Sequence, residues 1–144
     1  MAFNTFELLT LKQSPDHHYI TPKSNQNNVM IVLSANEDEK LRSTLLPKIM
    51  NAVHIDIEEE AILVEAPNYG INIVKLISEQ KAIKVISFGV SPSALSINLS
   101  ALLYKINKIG DVEFLFSDNL KVISTNQARK KALWNQLQSL FPKQ

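Results

Sequence analysis

The sequence predicts an α/β domain, a three-layer α/β/α sandwich around a short, mostly parallel sheet. Three observations point there. Apolar, β-rich runs recur at Val29–Ser34, Ile62–Glu65 and Lys84–Phe88, and a continuous apolar run suits a strand buried on both faces. Helix-periodic stretches separate these runs. Strand, helix, strand, helix, strand in that order implies parallel neighbours joined by right-handed crossovers.

The first 28 residues stand apart. Phe3, Phe6, Leu8, Leu9 and Leu11 form a short apolar cluster, followed by SPDHHYITPKSNQNN, polar and twice broken by proline. The cluster is too short for a stable free helix, and the polar stretch reads as a linker. Residues 1–28 are therefore expected to be an arm and linker, and residues 29–144 the single α/β domain. The arm either packs on the domain or folds onto a partner.

After the first strand, Asn36 and Glu39 have capping-box spacing. Leu41, Leu45, Ile49 and Val53 then recur every four residues as one helix face. Pro47 lies inside that pattern, removes a backbone donor and predicts a kink or break. Ile55–Glu60 is acidic and reads as a connecting turn. Ile73, Val74 and Ile77 mark a short helix ending near Gln80. Leu102, Tyr104 and Ile106, then Val112, Phe114 and Phe116, alternate around Lys108-Ile109-Gly110-Asp111. That predicts a hairpin, or a strand pair at the sheet edge. Asp118–Ile123 reads as a helical turn.

Ser124–Pro142 predicts the closing helix. Ser124 or Thr125 is the expected cap, and Pro142 the stop. On a helical wheel Leu133, Leu137, Leu140, Trp134 and Phe141 share an arc of roughly 120°. Trp134, the largest of these, is expected to be buried and to anchor the helix to the body.

The totals narrow the function. One domain with a real core fits 144 residues, 45% hydrophobic and 20% charged. A formal net charge of +1 supplies no strong field for nucleic-acid binding. Absence of cysteine removes disulfides and thiolate chemistry, and fits a cytoplasmic location. No basic leader with an apolar core opens the sequence, and no apolar run approaches the roughly 20 residues that span a bilayer. Three glycines leave no glycine-rich phosphate loop.

Candidate chemistry is sparse. His17 and His18 are adjacent and point different ways on any regular element, so neither metal nor cofactor is expected. Asp56, Glu58, Glu59 and Glu60 read as a solvated charge run. Ligands of open parallel sheets sit beyond the carboxyl ends of the strands. There Asn36, Glu65, Asn68 and Ser91 are the candidate pocket residues. No serine has the sharp glycine-flanked context of a nucleophile elbow.

The last helix carries a family resemblance. Ala128-Arg129, Ala132-Leu133-Trp134, Gln136 and Phe141-Pro142 resemble the final helix of the psi subunit of the bacterial DNA polymerase III holoenzyme. Val29–Asn36, the helix with Leu41, Leu45, Leu46 and Ile49, and Ser117-Asp118-Asn119-Leu120 are similar to that family too. The psi fold in turn resembles that of uracil-DNA glycosylases without their activity. Val64-Glu65-Ala66-Pro67 and Ser87-Phe88-Gly89 resemble glycosylase segments. Gly89-Val90-Ser91-Pro92 lacks the histidine of the glycosylase late loop, against catalysis that needs polar groups on an extruded base.

The psi resemblance implies a non-catalytic adaptor of the replicative polymerase with glycosylase-like topology. Its arm, with Phe3, Phe6, Leu8 and Leu9, would dock on the clamp-loader collar, although the tryptophans of the family's arm are missing. Its domain would hold a chi-like subunit. Strong nucleic-acid binding, membrane association, metals and cofactors are not implied. The alternatives are a glycosylase-fold enzyme or nucleotide-binding protein with its site at the strand ends, and a homodimer burying the arm cluster.

Overall fold

A computed structural model describes residues 18–20, 28–67, 70–98, 100 and 102–142. The arm residues Phe3, Phe6, Leu8 and Leu9, and the pocket candidate Asn68, lie outside them. Six strands form one sheet. They are β1 (His18–Ile20), β2 (Val29–Ser34), β3 (Ala61–Ala66), β4 (Lys84–Phe88), β5 (Ile106–Ile109) and β6 (Val112–Ser117). The helices are α1 (Glu39–Asn51), α2 (Ile57–Glu60), α3 (Ile73–Gln80), α4 (Leu120–Thr125) and α5 (Gln127–Leu140), with a 3-10 turn at Ser93–Leu95.

Across the sheet the order is β1-β3-β2-β4-β6-β5. β3, β2, β4 and β6 are mutually parallel, and β1 and β5 pair antiparallel at either side. The fold is thus α/β with a mostly parallel sheet, as the alternation of elements predicts. β1 falls within the stretch read as linker, so the sheet extends into it, His18 opposite Glu65.

β2 shows why its sequence is unbroken by polar residues. Val29, Ile31 and Leu33 enter one apolar cluster with Leu46 and Met50 of α1 and Leu133, Leu137 and Leu140 of α5. Met30 and Val32 enter another with Ile73 and Leu76 of α3, Leu95 and Phe116. Both faces are covered, so both residue parities must be apolar.

Among the described residues each α-helix starts on an Asp or Asn whose side chain accepts a first-turn N–H: Asp38, Asp56, Asn72, Asn119 and Asn126. This corrects two predicted caps. Asn36 sits two residues before the true cap of α1, because the chain needs a further turn to leave β2. Ser124 and Thr125 belong to α4, and Asn126, in extended backbone, separates it from α5. The division between the predicted helical turn and the closing helix therefore falls at Asn126 rather than before Ser124. Pro47 lies within an unbroken α1. The carbonyl it leaves without a helical partner, that of Ser43, is on an exposed residue where water can satisfy it. The acidic turn at Ile55–Glu60 contains the one-turn helix α2, whose Asp56 cap accepts from Glu58 and Glu59 N–H groups. In α3 Val74 faces solvent and Leu76 takes the buried place.

Trp134 is the main correction. Leu133, Leu137 and Leu140 are at most 2% exposed, whereas Trp134 is 36% exposed. The three leucines fill a narrow seam. Trp134 sits at the edge of the arc, roughly 90° from that seam at 100° per residue. Burial thus rests with the leucines, and the ring is left at the surface.

Candidate functional site

Two places compete for the site: the crevice at the carboxyl ends of the strands and the outer surface of the C-terminal helices. The switch in strand order lies between β2 and β4. The chain leaves β2 into α1, over one apolar cluster, and leaves β4 toward Leu95, in the other. Open α/β sheets bind ligands at such a point.

Here the chain closes over it. Ala35 N–H donates to the Ala66 carbonyl at 2.9 Å, and Gly89 N–H to the Ser117 carbonyl at 2.8 Å. The Glu37 carboxylate, from the loop after β2, accepts Leu120 N–H at 3.3 Å. Leu120 follows β6, so this bond passes across the end of the intervening β4. Gly89 makes the approach possible. Its φ is +76°, and a Cβ there would lie 2.8 Å from that of Asn119. The loops after β3 and β4 also seal against each other. Ile71 N–H donates to the Ala94 carbonyl at 2.9 Å, and a Cβ on Gly70 would meet that same carbonyl oxygen at 2.6 Å.

The predicted pocket residues are spread around this closed end. Glu65 is half-buried and ion-paired with Arg42 of α1. Asn36 is exposed, its N–H donating to Ser34 Oγ at 3.1 Å. Ser91 is exposed and organises its own loop, its Oγ 3.2 Å from Ser93 Oγ and accepting Ala94 N–H at 3.3 Å. Ser87, buried, donates to the Val90 carbonyl at 2.7 Å. Among the described residues no three His, Asp or Glu side chains gather as a metal ion needs, and no helix is long and apolar enough to cross a membrane.

A second cluster joins the hairpin to the last helix. Tyr104 Oη donates to Asp118 Oδ2 at 2.5 Å, and Arg129 Nη1 donates to the same oxygen. Asp118 N–H returns a bond to Tyr104 Oη at 3.3 Å. Burial, then the bond to Asp118, pushes the Tyr104 phenol above its ordinary value. Bonding and charge attraction from Asp118 push the Arg129 guanidinium up as well. Tyr104 holds φ of +59°, a left-handed conformation that bulky residues rarely adopt. The cluster fastens α5 to the end of β6. Asp118 follows β6 and Arg129 lies in the first turn of α5, so their bond ties these two segments together.

The outer surface is different in kind. An open groove of about 310 Å³ runs between α1 and the α4–α5 pair, lined by Leu41, Thr44, Leu45, Lys48, Ser124 and Lys130. Trp134 lies one helical turn beyond Lys130 on α5. Sequence reasoning missed Glu37, Arg42 and Tyr104, whose roles depend on partners far along the chain. Trp134 had a signal, its place at the margin of the apolar arc. No family model matches the chain, and no curated protein matches it in sequence.

Proposed function

We propose that this protein is a non-catalytic adaptor of psi type in the replicative polymerase, acting in the cytoplasm through protein–protein contacts. The observation that carries the proposal is Trp134, a large aromatic left 36% exposed on α5. It lies in the helix whose Ala-Arg, Ala-Leu-Trp and Phe-Pro pattern resembles psi. Exposed tryptophan is the residue type most enriched at binding hot spots. In this reading the outer face of α5 holds a chi-like subunit. The arm, with Phe3, Phe6, Leu8 and Leu9, docks on the clamp loader.

The 2-1-3-4 order of the four parallel strands, with apolar clusters on both faces, supports a three-layer sandwich of glycosylase-like topology. The closed strand ends support a scaffold over an enzyme. Glu65 is engaged by Arg42, and Glu37 spans the switch point.

The test is affinity capture from the native cell with three forms: the full chain, Trp134→Ala, and a chain lacking residues 1–12. The full chain is expected to recover clamp-loader subunits together with a smaller accessory subunit. Trp134→Ala is expected to lose the accessory subunit alone, and the truncation the clamp loader alone. Recovery of neither by the full chain would overturn the proposal. Base release from uracil-containing single-stranded DNA, abolished by Glu65→Ala, would favour the glycosylase alternative.

A further inference from the structure

We propose that β5 is a docking edge for an extended, acidic segment of a partner protein, a second interface separate from α5. β5 is the outermost strand on its side of the sheet, hydrogen-bonded only to β6 among the described strands. Ile109 and Val112 close the hairpin across Gly110-Asp111. Gly110, at φ +60°, is the first central residue of this two-residue turn. The closing pair of such a hairpin is a hydrogen-bonded pair, and pairs alternate from there. Ile106 and Lys108 therefore turn their backbone N–H and C=O groups away from β6, toward the free edge. An added strand would take up those groups.

Side chains around the edge specify what it would bind. Among the described residues only six large hydrophobics are markedly exposed, and three of them are Ile109 in β5 and Leu102 and Leu103 in the segment leading into it. They flank the strand at its two ends and would seat apolar side chains of the added segment. Lys105 and Lys108 are exposed, and neither is in an ion pair among the described residues. The acidic residue opposite Lys108 is Glu113, which pairs with Lys84 at 3.3 Å. Two uncommitted positive charges beside an open backbone edge favour a carboxylate-rich strand. They disfavour a second copy of β5, whose lysines would add like charge.

The probe is a synthetic, fluorescein-labelled hexapeptide of alternating glutamate and valine, with a lysine–valine peptide as control, titrated into the full-length protein. The glutamate peptide is expected to bind at least tenfold more tightly. It should slow amide hydrogen exchange at Ile106 and Lys108 and leave Trp134 fluorescence unchanged. Two variants separate backbone from charge. Lys108→Pro removes an outward N–H that the hairpin does not use, so the fold is expected to survive and binding to be lost. Lys108→Ala keeps that N–H and should weaken binding only severalfold. Equal binding of the two peptides, absence of protection at β5, or a concentration-dependent dimer that protects β5 without peptide would each overturn the proposal. The Trp134 readout keeps this result independent of the α5 interface.

Discussion

The carboxyl ends of the strands and the outer face of the C-terminal half treat their side chains in opposite ways. At the strand ends nearly every group with chemical potential is engaged within the molecule. Glu65 holds Arg42, Glu37 accepts from Leu120, and Ser91 shapes its own loop. Around α5 and β5 the groups are left open: Trp134 on the helix, Ile109 on the hairpin with Leu102 and Leu103 leading into it, and two lysines at its edge. A crevice that closes on itself is a structural joint. A surface that leaves large apolar groups in water has an unspent capacity to bind.

The sharpest way to break this contrast is within α5 itself. Leu137→Ala, at a fully buried position, should cost about 2–5 kcal/mol by thermal or urea unfolding. A loss below about 1 kcal/mol there would mean that the seam on which the comparison rests is loose. Next comes the sealed crevice. Gly89→Ala combines a positive φ with a Cβ 2.8 Å from Asn119, and about 1–3 kcal/mol should be lost. If the variant is as stable as the parent, the loops over the switch point are not tightly closed.

Tyr104→Phe deletes both hydrogen bonds between the phenol and Asp118 and should cost about 1–2 kcal/mol. The same residue sets a pH dependence. Its phenol is raised above the ordinary value of about 10.0, so the unfolded chain ionises first. Stability from this group is therefore full below the ordinary phenol value. It is lost as pH rises through the raised one. Urea melts across the alkaline range should show that decline in the parent and a shallower one in Tyr104→Phe. The smallest stability effect is expected at the exposed Trp134 ring. Trp134→Ala should change unfolding by less than about 1 kcal/mol, while weakening partner capture by about 2 kcal/mol or more. A large stability loss with unchanged capture would reverse the comparison.

Much of the framework was legible before any coordinates. Val29–Ser34 and Lys84–Phe88 match their strands end to end, and the α3 stop at Gln80 and the hairpin about Gly110-Asp111 also agree. These are local signals, set by apolar runs and turn chemistry that neighbours in sequence supply. Caps were less legible, because Asn36, Asp38, Ser124 and Asn126 are all competent and only the exit angle of the preceding element selects one. The site was least legible. Asn36, Glu65 and Ser91 were correctly placed near strand ends, but nothing local to them reports that Arg42, Glu37 and Ala94 would engage or enclose that region.

By itself the sequence determined which stretches are strands and helices, that neighbouring strands run parallel, and that cysteine and phosphate-loop chemistry are absent. Periodicity and composition act over a few residues, so they are readable in one dimension. Tertiary structure decided which side of α5 turns inward, whether the strand-end crevice opens, and which polar groups find partners. Those outcomes depend on contacts between residues far apart in the chain, such as Glu37 with Leu120 and Tyr104 with Asp118 and Arg129. Trp134 shows the division most simply: its residue type and helical angle were known in advance, and its exposure was settled by three leucines that filled the seam beside it.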